Sequence, residues 1–209
     1  MLGNSLVFPD VRTASPEGIL AFGGDLRPER LLLAYKSGIF PWYSEGEPII
    51  WYSPDPRMVL LPGELKISKS MQQVLRRHQW TITWDKDFEQ VLAHCQKTPR
   101  KGQRGTWITR EMYEAYLRLH EMGHARSVEV WDGEVLVGGL YGVDLGNVFC
   151  GESMFSAVSN SSKVAFIELV RRLESLQYRF IDCQVYNKHL ASLGAREVSR
   201  EDFLRLLQK

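Results

Sequence analysis

Val128-Glu129-Val130-Trp131, then Asp132-Gly133, then Val135 through Val143, is the stretch that decides how this chain folds. Both flanking runs are short and β-prone, and Asp-Gly between them suits a tight hairpin turn. A second turn around Leu145-Gly146-Asn147 leads to a third strand through Cys150. Ser161 or Ser162 opens a helix that runs to about Leu176. Phe180 to Val185 reads as a strand, Asn187 to Leu193 as a short helix, and Ser199 caps the last helix. Three antiparallel strands, a helix, a strand and a helix predict a mixed α/β (α+β) fold with a mainly antiparallel sheet.

Upstream, residues 1–63 are rich in Gly, Pro and aromatics and hold one clear helix. Asp25 can cap it and Pro28 fits its first turn, while Leu31, Leu32 and Tyr35 form a stripe ending at Gly38. Met58 to Leu61 reads as a strand. Ser68 caps a helix to about His78, Trp80 to Trp84 is a strand, and Asp87 to Lys97 is a helix. A polar, basic loop covers Thr98 to Gly105, and Thr109 caps a helix through Met122, with Gly123 as its stop.

The chain has 209 residues, 44% of them hydrophobic and 24% charged, as in ordinary globular proteins. No apolar run approaches the roughly 20 residues that span a membrane. Met1 to Val7 lacks a basic start and a long apolar stretch, so no signal peptide is expected. Cys95, Cys150 and Cys183 are few, odd in number and not in metal-binding spacing, which suits free thiols in a reducing cytoplasm. The net charge is +1, yet Lys66 to Arg110 holds ten Lys/Arg against three Asp/Glu, so this segment carries +7. Such a block is either a solvated helix face with a loop or a footprint for a polyanion.

The strand Phe180-Ile181-Asp182-Cys183-Gln184-Val185 carries a carboxylate and an amide two residues apart. On a regular strand they share a face. Buried without partners they would cost several kcal/mol, so they pair with each other and a loop, or they face something they act on. Gly151-Glu152-Ser153-Met154-Phe155, about thirty residues earlier, adds a second carboxylate.

These strings, with Ala191-Ser192-Leu193-Gly194-Ala195, resemble the bacterial leucyl/phenylalanyl-tRNA–protein transferases. So do Gly23-Gly-Asp-Leu26, Gly38-Ile-Phe-Pro-Trp42, Trp51-Tyr-Ser-Pro-Asp-Pro-Arg57, Gly105-Thr-Trp-Ile-Thr109 and Val137-Gly-Gly-Leu-Tyr-Gly142. The similarity runs from about Phe8 to the end. It implies a GNAT-like aminoacyl-transfer domain over 109–209. In front of it would stand a small α/β domain, made of the Gly/Pro/aromatic-rich residues 1–63 and the basic residues 64–108.

The resemblance also implies a reaction and the residues for it. Leu, Phe or Met would pass from aminoacyl-tRNA to the N-terminal amine of proteins that begin with Arg or Lys, marking them for degradation. Ester to amide runs downhill, so neither cofactor nor metal is implied. Residues matching Asp182 and Gln184 are the catalytic pair of the family: the Gln carbonyl accepts the amine hydrogen, and the Asp polarises and orients the Gln. With Glu152, Asp182 would favour a cationic acceptor. Leu140, Met154, Phe155 and Ile181 match or flank the aminoacyl pocket, with Leu169 and Leu173 as its floor. Trp42 and Trp107 flank the terminal adenosine, with Tyr35 and Tyr116 near them. On the basic segment, Lys66, Lys69, Arg76, Arg77, Arg100, Lys101 and Arg104 are the candidate phosphate contacts; such contacts position a backbone but read no sequence.

Three other chemistries weigh less. His120-Glu-Met-Gly-His124 matches the zinc-hydrolase string, but Gly123 ends the helix before the second imidazole can join the first on one face. Coenzyme A transfer needs a glycine-rich loop, and Ser156 to Lys163 has no glycine. A Cys150, His189 and Asp182 set would put its thiol inside an apolar strand, where thiols are inert. A non-catalytic RNA-binding module using the 66–110 face is the alternative from another class.

Overall fold

The computed structural model describes residues 1–98 and 106–208. A three-stranded sheet in the order β1-β3-β2 is built from β1 (Ile19–Phe22), β2 (Phe40–Pro41) and β3 (Ile50–Tyr52), all antiparallel. The main sheet has seven strands: β4 (Arg57–Leu60), β5 (Thr81–Trp84), β6 (Ala125–Asp132), β7 (Val135–Asp144), β8 (Val148–Ser156), β9 (Phe180–Gln184) and β10 (Arg196–Val198). Their order is β10-β4-β9-β8-β7-β6-β5, and β8 with β9 is the one parallel pair. The expected mixed α/β fold with a mainly antiparallel sheet is realised.

Helices cover both faces. On one side α5 (Ser161–Ser175) and α2 (Lys69–Arg76) bury Phe166, Leu169, Leu173 and Met71 against Val128, Leu140, Phe149 and Ile181. On the other, α1 (Pro28–Lys36), α3 (Phe88–Lys97) and α4 (Arg110–Glu121) pack Leu31, Leu92 and Tyr116 against Tyr141, Cys150 and Phe180. The short α6 (Lys188–Ser192) follows β9, and α7 (Arg200–Gln208) ends the described chain. Among the described residues no helix is long and apolar enough to cross a membrane.

Local signals placed most helix starts correctly. Ser68, Asp87 and Thr109 each accept a main-chain N–H three residues on, and Asn187 caps α6. Asp25 does not cap α1, which starts after Arg27; its carboxylate instead takes the Arg27 N–H and pairs with Arg30. The third strand does not stop at Cys150 but continues through Glu152 to Ser156, because β7 is long enough to pair with all of it. The sheet also runs across the boundary expected at 108/109: β4 and β5, from the first half, pair with β9 and β6. Gly123 (φ +80°) ends α4, and His120 stacks on Phe88 with Nδ1 2.9 Å from the Ala125 carbonyl oxygen, so the two histidines do not form a helical pair.

One glycine clamps the turn after α6. Gly194 has φ +108°, and a Cβ there would lie 2.3 Å from the Glu64 carbonyl oxygen, beside the bond from Lys66 N–H to the Leu193 carbonyl. Gly194→Ala should therefore lower unfolding free energy by about 2 kcal/mol or more, read from urea titration.

Candidate active site

The site exists because two strands part. β8 and β9 pair in parallel only from Val148/Phe180 to Cys150/Asp182. Beyond that, β8 stays with β7 and β9 leans on β4, and a cavity of about 470 Å³ opens between them. Each strand is bulged at this point. Tyr141 faces Ser153 and Gly142 faces Gly151, which leaves Glu152 as the extra residue of β8. Val59 faces Asp182 and Met58 faces Gln184, which leaves Cys183 as the extra residue of β9. A bulge breaks the two-residue alternation and re-aims side chains. Thus Glu152 reaches Tyr116 on one side of the sheet while Met154 joins the cluster on the other.

Leu140, Phe149, Met154, Phe166, Leu169 and Ile181 form the apolar lining of the cavity. Trp42, itself 41% exposed, and Trp107 stand with Thr98 in its wall, and Phe40 and Pro41 of the small sheet close one side. Glu152 and Gln184 supply its polar edge.

Gln184 is held at three points. Its backbone takes φ +63°, a conformation costing about 1–2 kcal/mol in a residue with a Cβ. Its N–H donates to Asp182 Oδ1 at 3.0 Å, and its Nε2 donates to Glu152 Oε1 at 2.8 Å. One amide N–H is thereby committed, and the side-chain carbonyl oxygen remains an acceptor on a residue that lines the cavity. Asp182 does not share this face. It is buried and gripped by Arg57, with Nε to Oδ1 at 2.8 Å and Nη2 to Oδ2 at 2.6 Å. Asp182 therefore orients Gln184 through the main chain and does not line the cavity. Removing one member of such a buried pair costs about 3–5 kcal/mol.

Glu152 lies at the end of a buried phenol chain. Tyr116 donates to its Oε2 at 2.8 Å, and the hydroxyls of Tyr35 and Tyr116 are hydrogen-bonded to each other. Burial raises the Glu152 carboxyl to about 7; the Tyr116, Tyr35 and Gln184 hydrogen bonds oppose this, and the Asp182 charge adds to it. Burial, with the Glu152 charge next, pushes both tyrosines well above their ordinary range. Cys150 and Cys183 are raised mainly by burial and so remain protonated thiols at neutral pH. With Asp182 committed to Arg57, the Cys150, His189 and Asp182 set has no activated nucleophile.

Of the residues expected from sequence, Glu152, Gln184, Trp42, Trp107, Leu140, Met154, Leu169 and Ile181 line the cavity. Four of the others sit elsewhere. Phe155 lies across the sheet with its ring stacked on His94 at 4.6 Å, because the bulge at Glu152 shifts its facing. Leu173 is one turn too far along α5 and stays in the core. Tyr35 and Tyr116 are buried behind Glu152 and do not reach the cavity. Lys66, Lys69, Arg76 and Arg77 are exposed on or beside α2. Arg100, Lys101 and Arg104 lie outside the described residues. Sequence reasoning missed Arg57, whose partner is 125 positions away, and Phe166, three residues before Leu169 on the same helical face. The serine-rich turn is also self-capped, since the Ser162 N–H donates to Ser156 Oγ at 3.4 Å.

An open-mouthed, largely apolar cavity with an anchored amide at its edge suits a group-transfer enzyme that holds an apolar side chain. Comparison with known proteins agrees. A family model described as leucyl/phenylalanyl-tRNA protein transferase matches residues 59–208, and the model of that family's N-terminal domain matches residues 24–55. A leucyl/phenylalanyl-tRNA–protein transferase from Flavobacterium johnsoniae is 60% identical over 99% of this chain and 98% of its own. Its namesake from Flavobacterium psychrophilum is 54% identical over 100% and 99%. Among solved structures, a conserved Bacteroides thetaiotaomicron protein of unknown function gives a TM-score of 0.50 at 13% identity, over 67% of this chain and 55% of that one, a likeness of fold. The chain belongs to the leucyl/phenylalanyl-tRNA–protein transferase family, and is an aminoacyltransferase.

The shifted Glu152 carboxyl has a thermodynamic signature. Its pKa is 4.5 when unperturbed and about 7 in the folded protein. Between these values the folded state binds more protons than the unfolded one, so stability present below the lower value is lost as pH rises through the upper. Wild type should lose at most about 3 kcal/mol from this group between roughly pH 5 and pH 8. Glu152→Gln should flatten that segment of the curve, as measured by urea unfolding at both pH values.

Proposed function

We propose that the protein transfers Leu, Phe or Met from aminoacyl-tRNA to the N-terminal amine of proteins that begin with Arg or Lys. The new N-terminal residue would mark the acceptor for degradation, and the reaction would run in the cytoplasm. The observation that carries this reading is Gln184, lining an apolar cavity with its side-chain amide anchored on Glu152. The cavity lining of Leu140, Met154, Phe166 and Leu169 is soft enough for unbranched, γ-branched or aromatic side chains. A methylene of mismatch changes binding by only about 1–3 kcal/mol.

In this reading the acyl side chain enters the cavity, and Trp42 and Trp107 flank the terminal adenosine. The acceptor nitrogen attacks the ester carbonyl carbon, and the bond to the ribose oxygen breaks. That oxygen leaves with the proton the amine gives up. A free α-amine has a pKa of about 7.7–8.0, so a substantial unprotonated fraction exists at neutral pH. Gln184 then needs only to accept one N–H hydrogen and aim the lone pair, and positioning is its larger contribution. Asp182 is neutralised by Arg57, so Glu152 is the carboxylate that favours a cationic first residue. Lys66, Lys69, Arg76 and Arg77, with Arg100, Lys101 and Arg104, contact tRNA phosphates.

The decisive experiment incubates the protein with radiolabelled leucyl-tRNA and a peptide starting with Arg, then with the same peptide starting with Ala. Label should appear on the first and not on the second; equal labelling removes the role given to Glu152. Changing Arg76 and Arg77 together to Glu should weaken tRNA binding. It should also lower the slope of log affinity against log salt by about 1–2, and an unchanged slope places the phosphate path elsewhere.

A further inference from the structure

Arg57 takes no part in the chemistry described above, yet each of its nitrogens is engaged. Nε and Nη2 hold Asp182 at 2.8 and 2.6 Å, and Nη1 donates to the Gly38 carbonyl oxygen at 3.1 Å. The guanidinium lies over the Phe40 ring at 4.7 Å and the Phe203 ring at 4.5 Å. From the geometry we infer that Arg57 is a positioning residue for acyl transfer, locking the Gln184 amide to the cavity wall that carries Trp42. This rests on the role given to Gln184 under the proposed function.

Two arms leave the guanidinium. One runs through Asp182, whose Oδ1 also accepts the Gln184 N–H at 3.0 Å and so sustains its φ of +63°. The other runs through Gly38 and Phe40, two residues apart, to the wall formed by Phe40, Pro41 and Trp42. These arms join elements that local pairing would leave independent, since β2 belongs to the small sheet and β9 to the large one. Lysine could not replace this hub, because a single ammonium cannot make a planar fork and lie flat between two rings. Stability alone does not call for a charge pair here, as apolar residues of similar volume often serve as well or better. The pair is explained by the geometry it fixes at Gln184.

Two variants test this: Arg57→Lys, and Arg57→Met combined with Asp182→Leu, an apolar pair of similar volume. Each is compared with wild type by thermal unfolding, by the 15N order parameter of the Gln184 side-chain amide, by affinity for leucyl-adenosine, and by single-turnover transfer at saturation. Both should fold and bind leucyl-adenosine within about twofold of wild type, the pattern of a lost transition-state interaction. The order parameter should fall from its wild-type value to below about 0.6. The saturating rate should fall by about 10²-fold, as expected when a reacting group is misplaced by about 1 Å. Wild-type order and rate in either variant overturn the inference, and loss of the folded state in both makes Arg57 a folding residue and overturns it too. If wild type moves no leucine from tRNA, the proposed function fails, while the Gln184 order parameter still decides the anchor.

Discussion

Cys150 and Asp182 are the last residues at which the two parallel strands of the large sheet remain paired, and the rest of the site depends on that parting. Here each strand keeps a different outer neighbour, so only the main-chain groups that face the gap lose their ladder partners. β8 keeps β7 and β9 keeps β4. Both accommodate the divergence with one extra residue, and those residues or their neighbours carry the polar groups. Apolar side chains of the α5 face fill the depth of the gap, which is why the cavity is greasy inside and polar at one edge.

Two carboxylates lie close together here and are kept in different states by their surroundings, a recurring way of dividing labour. Asp182 is bound in a fork by a guanidinium and is spent on holding the chain. Among the described residues Glu152 has phenols and an amide as hydrogen-bond partners and no basic group, so burial dominates and brings it to about 7. A group near that value responds to what approaches it. A cation entering the cavity would favour its ionised form, which in turn strengthens its hold on Gln184.

What was legible in this chain was local. Caps at Ser68, Asp87, Thr109 and Asn187, and the hairpin at Asp132-Gly133, follow from interactions within three or four residues. The order of elements in the second half followed from those, and the motifs then named the family. What escaped was set by long-range contacts. Arg57 and Asp182 are 125 positions apart, and Tyr35 and Tyr116 are 81 apart, so no local pattern joins them. Strand parity also misled: a bulge at Glu152 turned Phe155 away from the pocket, and the left-handed Gln184 left the face that Asp182 occupies. The strands of the small sheet are two to four residues long, too short for alternation to register.

The ring of Phe203 that backs the guanidinium belongs to α7, almost 150 positions after Arg57 in the chain. During synthesis, Phe40, Arg57, Glu152 and Gln184 are all made before their last supporting partner. A nascent chain therefore cannot complete this brace until residue 203 has been made.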